Sequence, residues 1–327
     1  MQMMWIIMGV FLGVCSWKAP AGELTVAAVQ TELRLYTTAE QFSEHMAELM
    51  EEAVAHEPDL IVFPENVGIG LLALGAPEQV MSATSMDQVM GAVMAVRGQE
   101  VMQIAGRGVP LPRALMLVQA PAMRAAWVGA FSALAVQTDV YIAAGTIPLP
   151  HEDSDSNEVY NTFFLFGPDG EVTGTADKVN LIPLEREEGL NLTPGRSDDL
   201  APWVTPIGVF APIVCADAWD ANLVAGLVEE GAQLLLCPSA NPEHWTEPVR
   251  LDRLDGLHAR VDELGVPGVE CFGVGELGGL PFEGVTWILA PPTGEGEDVS
   301  VAATADAHIG EAIVVATITL PDAPAEK

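Results

Sequence analysis

The sequence predicts an α/β fold of two sheets with helices packed outside them. Three observations predict it. Short, wholly apolar runs such as Leu60–Phe63 (LIVF) and Gln233–Cys237 (QLLLC) read as strands buried on both faces. Strand, helix and strand succeed one another within Leu24–Phe63, as in a βαβ unit. The chain has 327 residues, 50% of them hydrophobic, enough for a sizeable core.

The elements follow in order. Leu24–Gln30 is a buried strand. Ala39–His56 carries Phe42, Met46, Leu49, Met50, Ala53 and Val54 at helical spacing, with a Thr38/Gln41 capping box at its start. Pro58 and Asp59 break the chain before Leu60–Phe63. Residues 67–136 are rich in Ala, Met, Val and Gly and carry helical stripes, including Ala114–Val136. Val140–Ile147 is a strand. Tyr160–Phe166 and Glu171–Thr175 flank Gly167-Pro168-Asp169-Gly170 as a hairpin. Pro206–Val214 reads as one strand entering Cys215. Asp220 then caps a helix that Gly231 ends, and Gln233–Cys237 is a strand closed by Pro238. Further strands fall at Val269–Val274, Thr286–Leu289 and Ala312–Leu320.

The net charge is −33, from 46 acidic and 13 basic residues. Such a polyanion repels phosphate backbones, which argues against a nucleic-acid partner. An acidic, hydrated surface with few lysines suits a high-salt environment. The lysines are Lys18, Lys178 and Lys327. Residues 3–17 form an apolar run that reads as a membrane anchor or uncleaved signal, with a packed N-terminal extension as the alternative. The first reading implies membrane contact through this run and a membrane-anchored or extracytoplasmic location. The chain thus divides into an apolar segment, residues 1–22, and a domain, residues 23–327, enlarged at about 67–136. The six histidines do not cluster, and no cysteine pair has zinc spacing, so no metal is expected. Gly273–Gly278 matches G-x-G-x-x-G, but Gly279, Leu280 and Pro281 cannot open the helix that a dinucleotide site needs.

A thiol becomes a strong nucleophile beside a base, a cation or a helix N-terminus. Cys215 stands between a strand and the helix beginning near Asp220. Such a turn is expected to expose the sulfur and aim the helix dipole at it. Cys237 and Cys271 read as inert core thiols. Glu65 follows the carboxyl end of an apolar strand, where ligand sites form in such sheets.

LIVFPEN (Leu60–Asn66), DKVNLIPLE (Asp177–Glu185) and TPIGVFAPIVCADAW (Thr205–Trp219) together resemble the nitrilase superfamily of carbon–nitrogen hydrolases. The resemblance runs from Leu24 to about Leu320. It implies a four-layer α-β-β-α sandwich, often a homodimer, that needs no cofactor. It carries the family's catalytic glutamate, lysine and cysteine onto Glu65, Lys178 and Cys215. A second glutamate maps to Glu185, with Glu187 as runner-up, and the oxyanion-holding N–H maps to Ala216. Asn66, Trp219, Asn241 and Trp245 are candidates to line the pocket, with core packing the competing reading. Three departures stand out. Ala216 replaces a frequent aromatic, Ala211 and Pro212 replace Gly-Val, and Ala218 and Trp219 stand where an arginine is common. The interval between Glu65 and Val140 also exceeds the usual one. The implied reaction is hydrolysis of an amide, ahead of a nitrile, through a cysteine thioester. The alternative is acyl transfer from an apolar or lipid donor by the same triad.

Overall fold

The computed structural model describes residues 22–152, 156–294 and 296–322. Residues 3–17 lie outside them. The strands are β1 (Glu23–Glu32), β2 (Leu60–Val62), β3 (Tyr141–Leu149), β4 (Tyr160–Phe166), β5 (Val172–Asp177), β6 (Trp203–Thr205) and β7 (Gly208–Pro212). They continue as β8 (Leu234–Ala240), β9 (Gly268–Leu277), β10 (Leu280–Phe282), β11 (Trp287–Ala290), β12 (Ser300–Thr304) and β13 (Ala312–Thr319). The helices are α1 (Ala39–Val54), α2 (Met86–Ala105), α3 (Leu111–Thr138), α4 (Ala221–Glu229), α5 (Glu247–Arg253) and α6 (Ala259–Leu264).

The main strand order is β5-β4-β3-β2-β1-β9-β8-β7-β6. Strand β1 serves both halves. Its middle, Val26–Ala28, pairs parallel with β2, and its end, Thr31–Glu32, pairs with β9. β13 lies antiparallel along β1.

Alternation of side chains explains the layering. Leu60 and Val62 of β2 and Leu234 and Leu236 of β8 meet in one apolar core between the two halves. Ile61 faces α1 and α3 instead, packing with Phe42, Trp127 and Phe131. Leu235 faces α4 and α6, packing with Val224 and Val261. Helices, sheet, sheet and helices therefore form the expected α-β-β-α sandwich. Residues 67–136 supply α2 and most of α3. α3 is long and apolar enough by composition to cross a membrane, yet most of its apolar window is buried inside the protein.

The Thr38/Gln41 capping box is present, and Asp220 caps α4 by accepting from Leu223 N at 3.1 Å. Two expectations need correction. The strand entering Cys215 is β7, shorter than Pro206–Val214: residues 206–207 form the turn from β6, with which β7 pairs antiparallel. Pro238 does not close β8, which runs on to Ala240. β7 pairs β8 only up to Leu236, so beyond it β8 bonds β9 alone and the missing proline N–H removes no ladder bond on the other side.

Candidate active site

Glu65 leaves β2 through Phe63 and Pro64 and passes close beneath β3. Gly145 permits that approach, since a Cβ there would stand 2.0 Å from the Pro64 carbonyl oxygen. Its φ of +75° also favours glycine. Asn66 takes a φ of +63° and donates its N–H to Thr146 Oγ1 at 2.8 Å, which fixes the turn.

Glu65 is 1% exposed and held by three donors. Lys178 Nζ reaches Oε1 at 2.7 Å, Asn161 Nδ2 reaches the same oxygen at 2.9 Å, and Ala240 N reaches Oε2 at 2.9 Å. Lys178 Nζ also donates to Glu185 Oε2 at 2.6 Å. Asn161 Nδ2 donates to Glu185 Oε1 at 3.0 Å, and Ile182 N to Oε2 at 2.9 Å. The structure thus brings Glu185 into the cluster and leaves Glu187 exposed.

Cys215 follows the end of β7 and opens a single 3-10 turn, Cys215–Trp219, with a φ of +46°. That left-handed conformation is strained for a residue with a Cβ. Asp217, 1% exposed, holds the turn against the lysine loop. Its carboxylate accepts from Asn180 N at 2.7 Å, Val179 N at 3.2 Å and Val214 N at 3.1 Å. One aspartate thereby couples the segments that carry Lys178 and Cys215.

The expected exposure of the sulfur is corrected: Cys215 is 3% exposed. It is covered by Arg253, whose Nη1 lies 3.6 Å from Sγ. The helix-dipole expectation also changes. Cys215 begins its own short turn, and the N-terminus of α4 is capped by Asp220, which accepts from Leu223 N.

Burial governs the titration of these groups. It lifts the Glu65 carboxyl above the usual carboxylate range, with Lys178 opposing the rise and Glu185 adding to it. It lifts the Cys215 thiol, helped by Glu65 and opposed by Arg253 and Lys178. Burial works against the charge of Lys178, but Glu65, Cys215 and Glu185 outweigh it and raise its pKa.

A cleft of about 560 Å³, open mouth included, lies over Glu65 and Glu185. Its walls are Ile69, Met86, Leu184, Leu277, Leu280 and Phe282. Met86 comes from the start of α2, so this helix helps to wall the cleft. Asn66 also lines it. Asn241 and Trp245 are engaged elsewhere: Asn241 Nδ2 faces the carbonyls of Glu243 and Glu283, and Trp245 packs on Phe272 and Trp287. Trp219 stacks under Arg253, its ring centroid 5.1 Å from Cζ. Ala216 is the residue after Cys215 in the 3-10 turn. The sequence reading missed Asn161, Asp217, Arg253 and Glu270.

Fold and site together define an α-β-β-α protein with a buried thiol, carboxylate and ammonium at one centre. The chain belongs to the carbon-nitrogen hydrolase family, whose pattern it matches over residues 25–321. It is similar to the omega-amidase of Danio rerio, with 31% identity over 125 residues, 35% of this chain and 43% of that protein. The human omega-amidase is 30% identical over 125 residues, with the same shares. The chain thus matches under half the length of these curated relatives. Among solved structures, the carbon-nitrogen hydrolase from Helicobacter pylori G27 aligns with a TM-score of 0.61 at 19% identity, covering 91% of this chain and 89% of that one. A double mutant of the amidase from Nesterenkonia sp. AN1 in complex with acrylamide aligns with a TM-score of 0.63 at 18% identity, covering 93% of each chain.

Proposed function

We propose that this protein hydrolyses the carbon–nitrogen bond of a small, uncharged amide through a thioester on Cys215. The observation that carries the reading is the Glu65–Lys178–Glu185 cluster, buried and hydrogen-bonded, with the buried Cys215 thiol near enough to feel the charges of both Glu65 and Lys178.

Glu65 takes the proton of Cys215, and Sγ attacks the carbonyl carbon. The oxygen gains the negative charge and is held by Lys178 and the Ala216 N–H. Removing one such donor typically costs about 10²–10³ in rate. The tetrahedral species collapses, the C–N bond breaks, and protonated Glu65 gives its proton to the leaving nitrogen. Ammonia or an amine departs. Glu65 then takes a proton from water, whose oxygen attacks the thioester. The C–S bond breaks, the acid leaves, and the proton returns to Cys215. Glu185 holds Lys178 in place throughout.

Two observations favour an uncharged acyl group. The cleft walls are apolar, and the charged residues lining it are Glu65 and Glu185, both acids. The chain as a whole carries −33, which repels anions. Amide is preferred over nitrile because the relatives above are named amidases.

Ammonia release from butyramide, butyronitrile and anionic succinamate tests the reading. Butyramide turnover is expected to exceed that of both others and to vanish in Cys215→Ala. A covalent butyryl adduct on Cys215, read by mass spectrometry, is the expected intermediate. Hydrolysis that persists in Cys215→Ala overturns the mechanism. Succinamate as the best substrate overturns the uncharged acyl group.

A further inference from the structure

Beneath Cys215 lies a second charged group that the reaction above does not use. Arg253, at the end of α5, is 6% exposed, and Glu270 in β9 is 0% exposed. The guanidinium sits between two rings, with Cζ 5.1 Å from the Trp219 centroid and 5.3 Å from that of Phe272. Its Nη1 has two nearby acceptors, Cys215 Sγ at 3.6 Å and Glu270 Oε1 at 3.5 Å. Glu270 also has neutral donors. Ser239 Oγ donates to Oε1 at 3.0 Å, and Trp287 Nε1 to Oε2 at 3.0 Å.

These distances separate two roles. A buried ion pair that only supports the fold needs close, bidentate geometry to offset the desolvation of both charges. Here the Arg253–Glu270 contact is single and long, while neutral donors make the short bonds to the glutamate. The sulfur is about as near to Nη1 as the carboxylate is. The stacked rings fix the guanidinium in that position.

We propose that Arg253 is the nucleophile's second cation, holding the Cys215 thiolate through Nη1, and that Glu270 limits how much of its charge the sulfur feels. The proposal rests on Cys215 being the nucleophile. The proton still goes from Sγ to Glu65, and Arg253 neither gains nor loses one. Burial lifts the Cys215 thiol, and Arg253 is the first of the groups that pull it back down. An opposite charge at this range typically moves a pKa by about 1–3 units. Losing it therefore moves the thiol upward, whereas neutralising Glu270 releases more of the guanidinium's charge and moves the thiol downward. Damage to packing alone has no reason to give opposite signs.

The test is the pH dependence of Cys215 alkylation by iodoacetamide in the full chain, resolved from Cys15, Cys237 and Cys271 by peptide mass spectrometry. Arg253→Gln is expected to raise the midpoint by at least about one unit, a tenfold slower reaction at a pH below both midpoints. Arg253→Lys, which keeps the charge, is expected to restore most of that shift. Glu270→Gln is expected to lower the midpoint. A midpoint at or below wild type in Arg253→Gln, or at or above wild type in Glu270→Gln, overturns the proposal. If Arg253→Gln does not fold, the Glu270→Gln midpoint alone decides. Hydrolysis surviving in Cys215→Ala would remove the functional reading itself, whereas unmoved midpoints with Cys215 essential would remove only this inference.

Discussion

Asn161→Leu probes the clamp on Glu65 without altering the proposed base, cation or nucleophile. Its Nδ2 donates to Glu65 Oε1 at 2.9 Å and to Glu185 Oε1 at 3.0 Å. A hydrogen bond to a charged acceptor contributes about 1.5–3 kcal/mol. One pKa unit corresponds to about 1.4 kcal/mol. Glu65 retains Lys178 and the Ala240 N–H, so loss of the Asn161 bond raises its pKa by about 1–2 units. Glu65 must be ionised to accept the thiol proton. The acid limb of kcat/KM is thus expected to move up by the same interval, and activity below the limb to fall about 10- to 100-fold. Folding suffers less, because leucine fills similar space and the deleted Oδ1 has no partner among the described residues. The assay is ammonia release from butyramide across the acid and neutral range, with a thermal melt as control. An acid limb that stays at its wild-type position in a folded variant refutes the reasoning.

Three further outcomes follow from the same structure. Gly145→Ala drives a Cβ to within 2.0 Å of the Pro64 oxygen at a φ of +75°, so stability should fall by more than about 1 kcal/mol, read by denaturant unfolding. Activity falls with it as Glu65 shifts; a variant that keeps wild-type stability and activity contradicts this placement. Glu311 pairs with His45 at 2.8 Å and Arg34 at 3.1 Å; burial opposes its charge, yet these partners and Thr31 hold its carboxyl down to about 2. A depressed carboxyl stabilises the fold above its unfolded pKa of about 4.3, and that contribution is lost as pH falls toward the folded value. Glu311→Gln should therefore lower Tm at neutral pH and flatten its decline through that acid window; a slope equal to wild type argues against it. Finally, α1 exposes Glu40, Glu44, Glu48 and Glu52 at four-residue spacing. Each like-charge pair costs about 0.2–0.5 kcal/mol and is screened by salt. Tm should rise from low to molar salt, and a Tm independent of salt removes the high-salt reading.

The legible part of the site was the part encoded locally. Glu65 ends an apolar run, Cys215 follows another, and Glu185 lies seven residues past Lys178. Asn161, Asp217, Arg253 and Glu270 reach the centre only through tertiary packing, which no local period announces. Two of them nevertheless left a trace. Asn161 interrupts YNTFFLF and Glu270 interrupts GVECFGV, polar residues inside strands that otherwise read as buried. A carboxylate in such a strand needs a partner, because an isolated buried charge is too costly. That rule asks for partners to Glu270 but does not name Arg253, which lies in another element. The misplaced strand boundaries have a similar origin. Pro238 stops a ladder only where its nitrogen faces a paired neighbour, and β7 ends before that point.

The buried charges also explain how Glu65 and Cys215 can both be pushed upward without blocking the proposed first step. Burial penalises either anion, so it shifts both groups in the same direction. What decides the position of the proton is the difference between them. Moving it from Sγ to Glu65 removes one anion beside Lys178 and creates another between Lys178 and Arg253. The net charge of the cluster does not change, and no new charge has to be desolvated. Glu65 retains Asn161 and Ala240 as neutral donors, Glu185 retains Ile182 and Asn161, and Glu270 retains Ser239 and Trp287. No acid therefore needs exclusive possession of a cation. The two cations remain available to the sulfur, and Lys178 remains available to the oxygen that becomes negative after attack.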